Sequence, residues 1–123
     1  MTERRIILEL GSGADLHGGD QTKAAGRAVE DALRRSSLSL FRTLELDPKS
    51  MRVVITIGAP DPASVDAGVI ARIPPYGAVE VDVVKGGVSA AGLGGGGMGS
   101  DAVIVAAAIA VHVDIPDGRW RLA

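Results

Sequence analysis

Apolar positions follow two rhythms along this chain. Residues 4–10 form a near-continuous apolar run, and residues 51–58 (MRVVITIG) form another, as buried strands do. Residues 77–85 (GAVEVDVVK) alternate: Val79, Val81 and Val83 face one way and Glu80 and Asp82 the other, which predicts a half-exposed strand. Residues 102–115 (AVIVAAAIAVHVDI) predict a last strand or strand pair, with helix open for part of it because of the alanines. Between the first two strands the spacing changes to three and four residues. Ala24, Ala28, Ala32, Leu33, Leu38, Phe41 and Leu44 predict a helix over 20–46, with Asp20 as its N-cap and Ser36–Ser37 as a bend or break. Pro62 opens a short helix over 63–70, which Pro74 and Pro75 end. The order strand, helix, strand, short helix, strand, loop, strand predicts an α+β domain over residues 1–123. It is a single four-stranded sheet with helices on one face.

A sheet covered on one side leaves its other face to water or to another subunit. Valine-rich strands in so small a chain point to self-association, with three or more copies packed sheet to sheet. The chain has 123 residues, of which 46% are hydrophobic and only 2% aromatic, so Ala, Val, Ile, Leu and Gly must carry thin, closely packed layers. A net charge of −2 with scattered basic residues argues against a nucleic-acid partner. The absence of cysteine excludes disulfides, thiolate catalysis and Cys-based metal sites. The longest apolar run, 102–111, is about half of the roughly 20 residues a membrane helix needs. The start MTERRIIL does not read as a signal peptide. These features predict a cytoplasmic protein with no membrane partner, and none of them names a cofactor.

Seventeen glycines gather mainly in two loops. The first, GSGADLHGGD at 11–20, joins strand to helix and carries Asp15, His17 and Asp20, side chains suited to proton transfer or metal binding. The plainer reading makes the two aspartates turn and helix caps and His17 a surface residue. Gly11 and Gly13 match neither the dinucleotide fingerprint nor a phosphate-binding loop ending in Gly-Lys-Ser/Thr. Lys23 and Arg27, one turn apart beside this loop, suit a carboxylate, phosphate or imide oxygen, or are simply solvated. The second loop runs from Lys85-Gly86-Gly87-Val88-Ser89 through Gly96 and Gly97 to Asp101. Its freed amides suit an oxyanion, and Ser89 or Ser100 is a nucleophile only if a Lys or His stands beside it. His112, on the last strand, reads first as an ordinary strand histidine. It joins Asp15, His17 and Asp20 as a metal ligand only if the strands pair suitably.

GSGADLHGG followed by TKAA resembles the GxGxDxHG signature of a family of small uncharacterised bacterial and plant proteins. YGAVEVDVVKGG and GGMGSDAVIVAAAIAVHVD resemble that family too. More distantly, the element order resembles one repeat of the ring-opening amidohydrolases, the cyanuric acid hydrolases and barbiturases. Those enzymes place three such units around a pseudo-threefold axis. That resemblance implies a homotrimer with interfacial sites acting on a small cyclic amide or imide. Lys23 and Arg27 would be its basic pair and Ser89 its nucleophile, although Ala90 and Ala91 follow Ser89 where the enzymes have glycines. On this reading Asp15 and His17 polarise water or move protons, and Gly11, Gly13, Gly86, Gly87, Gly96 and Gly97 line the ligand. Two alternatives stand beside it: a non-catalytic binder of a small anion or metabolite, and a metal-binding protein.

Overall fold

The computed structural model describes residues 2–35, 47–91 and 101–115. Strand β1 (Thr2–Asp15) leads to helix α1 (Gln21–Arg35), β2 (Arg52–Ala59), a short helix α2 (Ala67–Ala71), β3 (Ala78–Lys85), β4 (Val88–Ala90) and β5 (Ala102–Ile115). The expected α+β domain is present, with a fifth strand. The strands form one sheet in the order β1-β5-β2-β3, and β4 extends it by pairing with β5 beyond the end of β2. β2 and β3 are parallel, and β5 runs antiparallel to β1, β2 and β4.

Several boundaries differ from the sequence reading. β1 continues through Gly11 and Gly13 to Asp15, so half of the expected first loop is strand. The expected short helix splits into a 3-10 turn, Pro62–Ser64, and α2, whose N-cap Asp66 accepts from the Val69 amide. Residues 102–115 are strand throughout, with no helix, because β1 pairs along almost their whole length. The expected continuation of α1 through Leu38, Phe41 and Leu44, the break at Ser36–Ser37, and Gly96, Gly97 and Ser100 lie outside the described residues.

The core lies between one sheet face and the helices. Val53, Ile55 and Ile57 of β2 and Val103, Val105, Ala107, Ile109, Val111 and Val113 of β5 are buried there. α1 faces them with Ala24, Ala25, Ala28, Val29 and Ala32, all fully buried. Four of these five are alanine, so the helix settles close to the sheet. Gly11 and Gly13 allow it to go further. A Cβ on Gly11 would meet the Ala28 carbonyl and stand 2.6 Å from the Ala32 nitrogen. One on Gly13 would meet the Ala24 carbonyl and stand 2.5 Å from the Ala28 nitrogen. Helix backbone therefore rests on strand backbone.

α1 also occupies part of the free edge of β1. Arg27 Nη1 donates to the Ala14 carbonyl (2.6 Å), the Ser12 amide donates to Asp31 Oδ2 (3.0 Å), and Arg35 Nη1 donates to the Leu10 carbonyl (2.9 Å). Four helical residues advance about 6 Å and two strand residues about 6.7 Å, so helix positions 27, 31 and 35 stay in step with strand positions 14, 12 and 10. These bonds cap an edge that would otherwise template a further strand. Asp31 is held ionised below its usual range, first by the Ser12 amide and then by Arg35 and Arg34. Asp31→Ala is expected to speed hydrogen exchange of the Ser12 amide severalfold while leaving the β5 amides unchanged. Equal exchange at Ser12 would show that the bond does not protect the edge.

Candidate functional site

Because β1, β2 and β3 are mutually parallel, their C-terminal ends all lie at one end of the sheet. The loops after them gather there with the N-terminus of α1. Gln21 and Thr22, in its first turn, dock the loop that follows β2. The Asp61 amide donates to Gln21 Oε1 (2.8 Å). Thr22 Oγ1 donates to the Ser64 carbonyl (3.1 Å) and accepts from the Asp66 amide (2.9 Å). Gly19, at φ +61°, lies against Asp101, so the first loop touches the chain as it enters β5.

Strand register brings two of the predicted residues together. Asp15 pairs with Val103, and Val103 pairs on its other side with Ser89. Directly paired residues share a face, so Asp15 and Ser89 flank buried Val103 in one row, about 10 Å apart at two strand spacings. Asp15 is 5% exposed. Its Oδ2 accepts from the Asp20 amide (2.8 Å), and Arg27 Nη1 lies 3.9 Å from Oδ1. The Asp20 amide chiefly holds the carboxyl below its ordinary range against the opposing effect of burial. Lys23, the His17 amide and Arg27 add to it. Asp20 in turn caps α1, accepting from the Lys23 amide (3.0 Å). Two carboxylates therefore occupy the helix N-terminus, where an external anion would otherwise sit. Their effect is to fix the backbone that carries His17 and Lys23.

His17, Lys23 and Ser89 are exposed at this end. Arg27 is spent on Ala14 and Asp15. Gly11 and Gly13 lie under α1, and Gly86 and Gly87 serve a backbone crossing. A Cβ on Gly86 would stand 3.1 Å from the Gly58 Cα, and one on Gly87 (φ +68°) would meet the Ile104 carbonyl. His112 is nine residues from Val103 along β5, about 30 Å away, and it neighbours Glu3 (Nδ1–Oε1 4.0 Å). It does not join His17. Among the described residues no three His, Asp or Glu side chains are grouped to hold a metal ion. A cavity of about 110 Å³ between α1 and the sheet, lined by Ile7, Leu33, Met51, Val53, Pro74 and others, contains none of the predicted site residues. The sequence reading missed Gln21, Thr22 and the Asp31–Arg35 pair. The i, i+4, i+8 spacing of Arg27, Asp31 and Arg35 was the available signal for the last two.

One family model matches residues 5–113, nearly the whole described domain. The chain belongs to the Lin0512 family of conserved hypothetical proteins. Among solved structures, the Lin0512-family chain is similar to an FtsZ-like protein of unknown function from Nostoc punctiforme PCC 73102. The two share 28% identity with a TM-score of 0.81, over 94% of this chain and 99% of that one. No curated protein matches. Among the described residues no helix is long and apolar enough to cross a membrane.

Proposed function

We propose that this Lin0512-family protein binds a small polar molecule at the loop end of its sheet, in a site shared between copies of the chain. The carrying observation is the Asp15–Val103–Ser89 row with Lys23 and His17 beside it. Lys23 and His17 supply cationic and proton-donating groups, Ser89 a hydroxyl, and Asp15 positions the loop rather than touching the ligand. This donor set suits a carboxylate or the oxygens of a cyclic amide or imide. The distant resemblance to ring-opening amidohydrolases favours the cyclic amides and a threefold assembly. Hydrolysis with Ser89 as nucleophile is the second reading, favoured by its place in one row with an ionised carboxylate. Binding ranks first because Asp15 is committed to backbone donors and no base stands at hydrogen-bond distance from Ser89 among the described residues.

Thermal melting against a panel of cyclic imides, amides and small carboxylates tests the reading. A true ligand at a hundredfold its Kd adds about 2.7 kcal/mol, a rise of roughly 10 °C for a chain this size. Lys23→Ala is expected to remove that rise, with at most a small fall in the unliganded Tm from the lost attraction to Asp15. Products appearing with the wild type and not with Ser89→Ala would move the assignment to hydrolase. No shift with any member of the panel would defeat the binding reading.

A further inference from the structure

The face of the sheet turned away from the helices is not built for water. Along β5 it presents Ile104, Ala106, Ala108 and Ala110, alternating with the buried core positions, so this strand is apolar on both sides. Strands with that pattern are ordinarily covered on both faces. On β1, one strand over, Leu8 and Leu10 stand 49% and 63% exposed, paired with Ala110 and Ala108. Gly58 pairs with Ala106 on the other side. The face therefore has relief: a leucine ridge along β1 and a trough of alanines along β5, bounded on β2 by Val54, Thr56 and Gly58. At the loop end Ile104 (47% exposed) and Val88 (61%) close the trough.

We infer that this face packs against a second copy of the chain, the Leu8–Leu10 ridge of one copy entering the Ala106–Ala110 trough of the next. The surface carries both halves of its own complement, which a different partner would have to supply afresh. Its extent is sufficient. Four strands by about ten residues project on the order of 600 Å², near the roughly 800 Å² per partner of a stable interface. Its charges also favour this occupant. At the end away from the loops, Arg52 is ion-paired within the chain to Glu3 (2.7 Å) and Glu80 (2.9 Å), giving a neutralised polar rim beside an apolar centre. Glu80 and Asp82 border the apolar rows on β3, which disfavours an anionic lipid surface or a nucleic acid. Packing the face also places Val88, next to Ser89, at the boundary between copies. The self-association does not depend on the identity of the ligand.

The test is the solution mass of the full chain by light scattering and sedimentation equilibrium, without ligand. The wild type is expected at a small multiple of its 12.5 kDa chain mass at micromolar concentration. Leu10→Asp on the ridge and Ala108→Leu in the trough are each expected to raise the dissociation constant at least about tenfold, or 1.4 kcal/mol. Both sites lie on the uncovered face, so the circular dichroism of the single chain should be retained. Ala108→Leu adds bulk without charge and serves if the aspartate variant does not fold. A monomeric wild type would overturn the inference and leave the face to another partner. Folded variants with undiminished association would overturn it in favour of a different surface. A monomeric wild type would also end the sharing of the ligand site between copies, but ligand-induced melting shifts are read in a separate experiment, so a failure of the packing and a failure of ligand binding are distinguishable.

Discussion

Gly13→Ala is expected to be among the most damaging single substitutions in this protein, although it adds one methyl group. The new Cβ would meet the Ala24 carbonyl and stand 2.5 Å from the Ala28 nitrogen. Both are helix backbone, which cannot swing aside as a side chain would. Relief requires α1 to lift from β1, and that loosens the contacts of Ala24, Ala28 and Ala32 together. Overpacking of this kind costs about 3 kcal/mol, a fall in Tm of roughly 10–15 °C for a chain of this size. Gly26 is the internal control. A Cβ there meets only Ile73 Cδ1, at an ordinary 3.7 Å. Gly26→Ala removes a helix-interior glycine and is expected to stabilise by up to about 1 kcal/mol, a rise of a few degrees. If both variants melt within a degree or two of wild type, the backbone-on-backbone packing is wrong.

Gly13 also shows where sequence reading reaches its limit. In GSGADLHGGD the glycines signal close approach, but the sequence does not say of what. A ligand and a helix both require a missing Cβ. Here the partner of Gly11 and Gly13 is α1, and the alanines at 24, 28 and 32 are the other half of the same contact, 11 to 21 residues downstream. Periodicity made the helix face legible; the pairing of that face with two strand glycines is a tertiary fact. The same holds for 102–115. Its alanines left helix open locally, and a ladder with β1 closes the question. The half-exposed strand β3, by contrast, could be read directly, because the alternation of Val79, Val81 and Val83 with Glu80 and Asp82 has only one physical solution. Of the predicted site, Asp15 and Ser89 share a row through strand register, which no local pattern encodes. The separation of His112 from His17 follows from the same register. The aspartate caps were the plainest reading of the first loop and describe what Asp15 and Asp20 do in the structure.

Asp15→Asn is expected to lower the Tm at neutral pH and to lose that effect as the solution is acidified. The wild-type carboxyl accepts from the Asp20 amide and lies near Lys23 and Arg27, so its folded pKa is below that of the unfolded chain. A depressed carboxyl contributes stability that is fully present above the unfolded value and is lost as the pH falls through the folded one. Asparagine keeps the shape and one accepting oxygen but has no charge to meet Lys23, Arg27 and the helix N-terminus. The gap in Tm between wild type and variant should therefore be constant from neutral pH down to the ordinary carboxylate range and close below it. Glu3, held down by Arg52, and Asp31, held down by the Ser12 amide, remain in the variant. Its own acid loss should therefore be shallower than that of wild type without vanishing. Hydrogen exchange locates the effect: the Asp20 and Lys23 amides should exchange faster in the variant while β2 and β5 are unchanged. No Tm gap at neutral pH would mean that shape alone gives Asp15 its hold on the loop, and a gap that stays constant into strong acid would mean that the variant loses something other than the carboxylate charge.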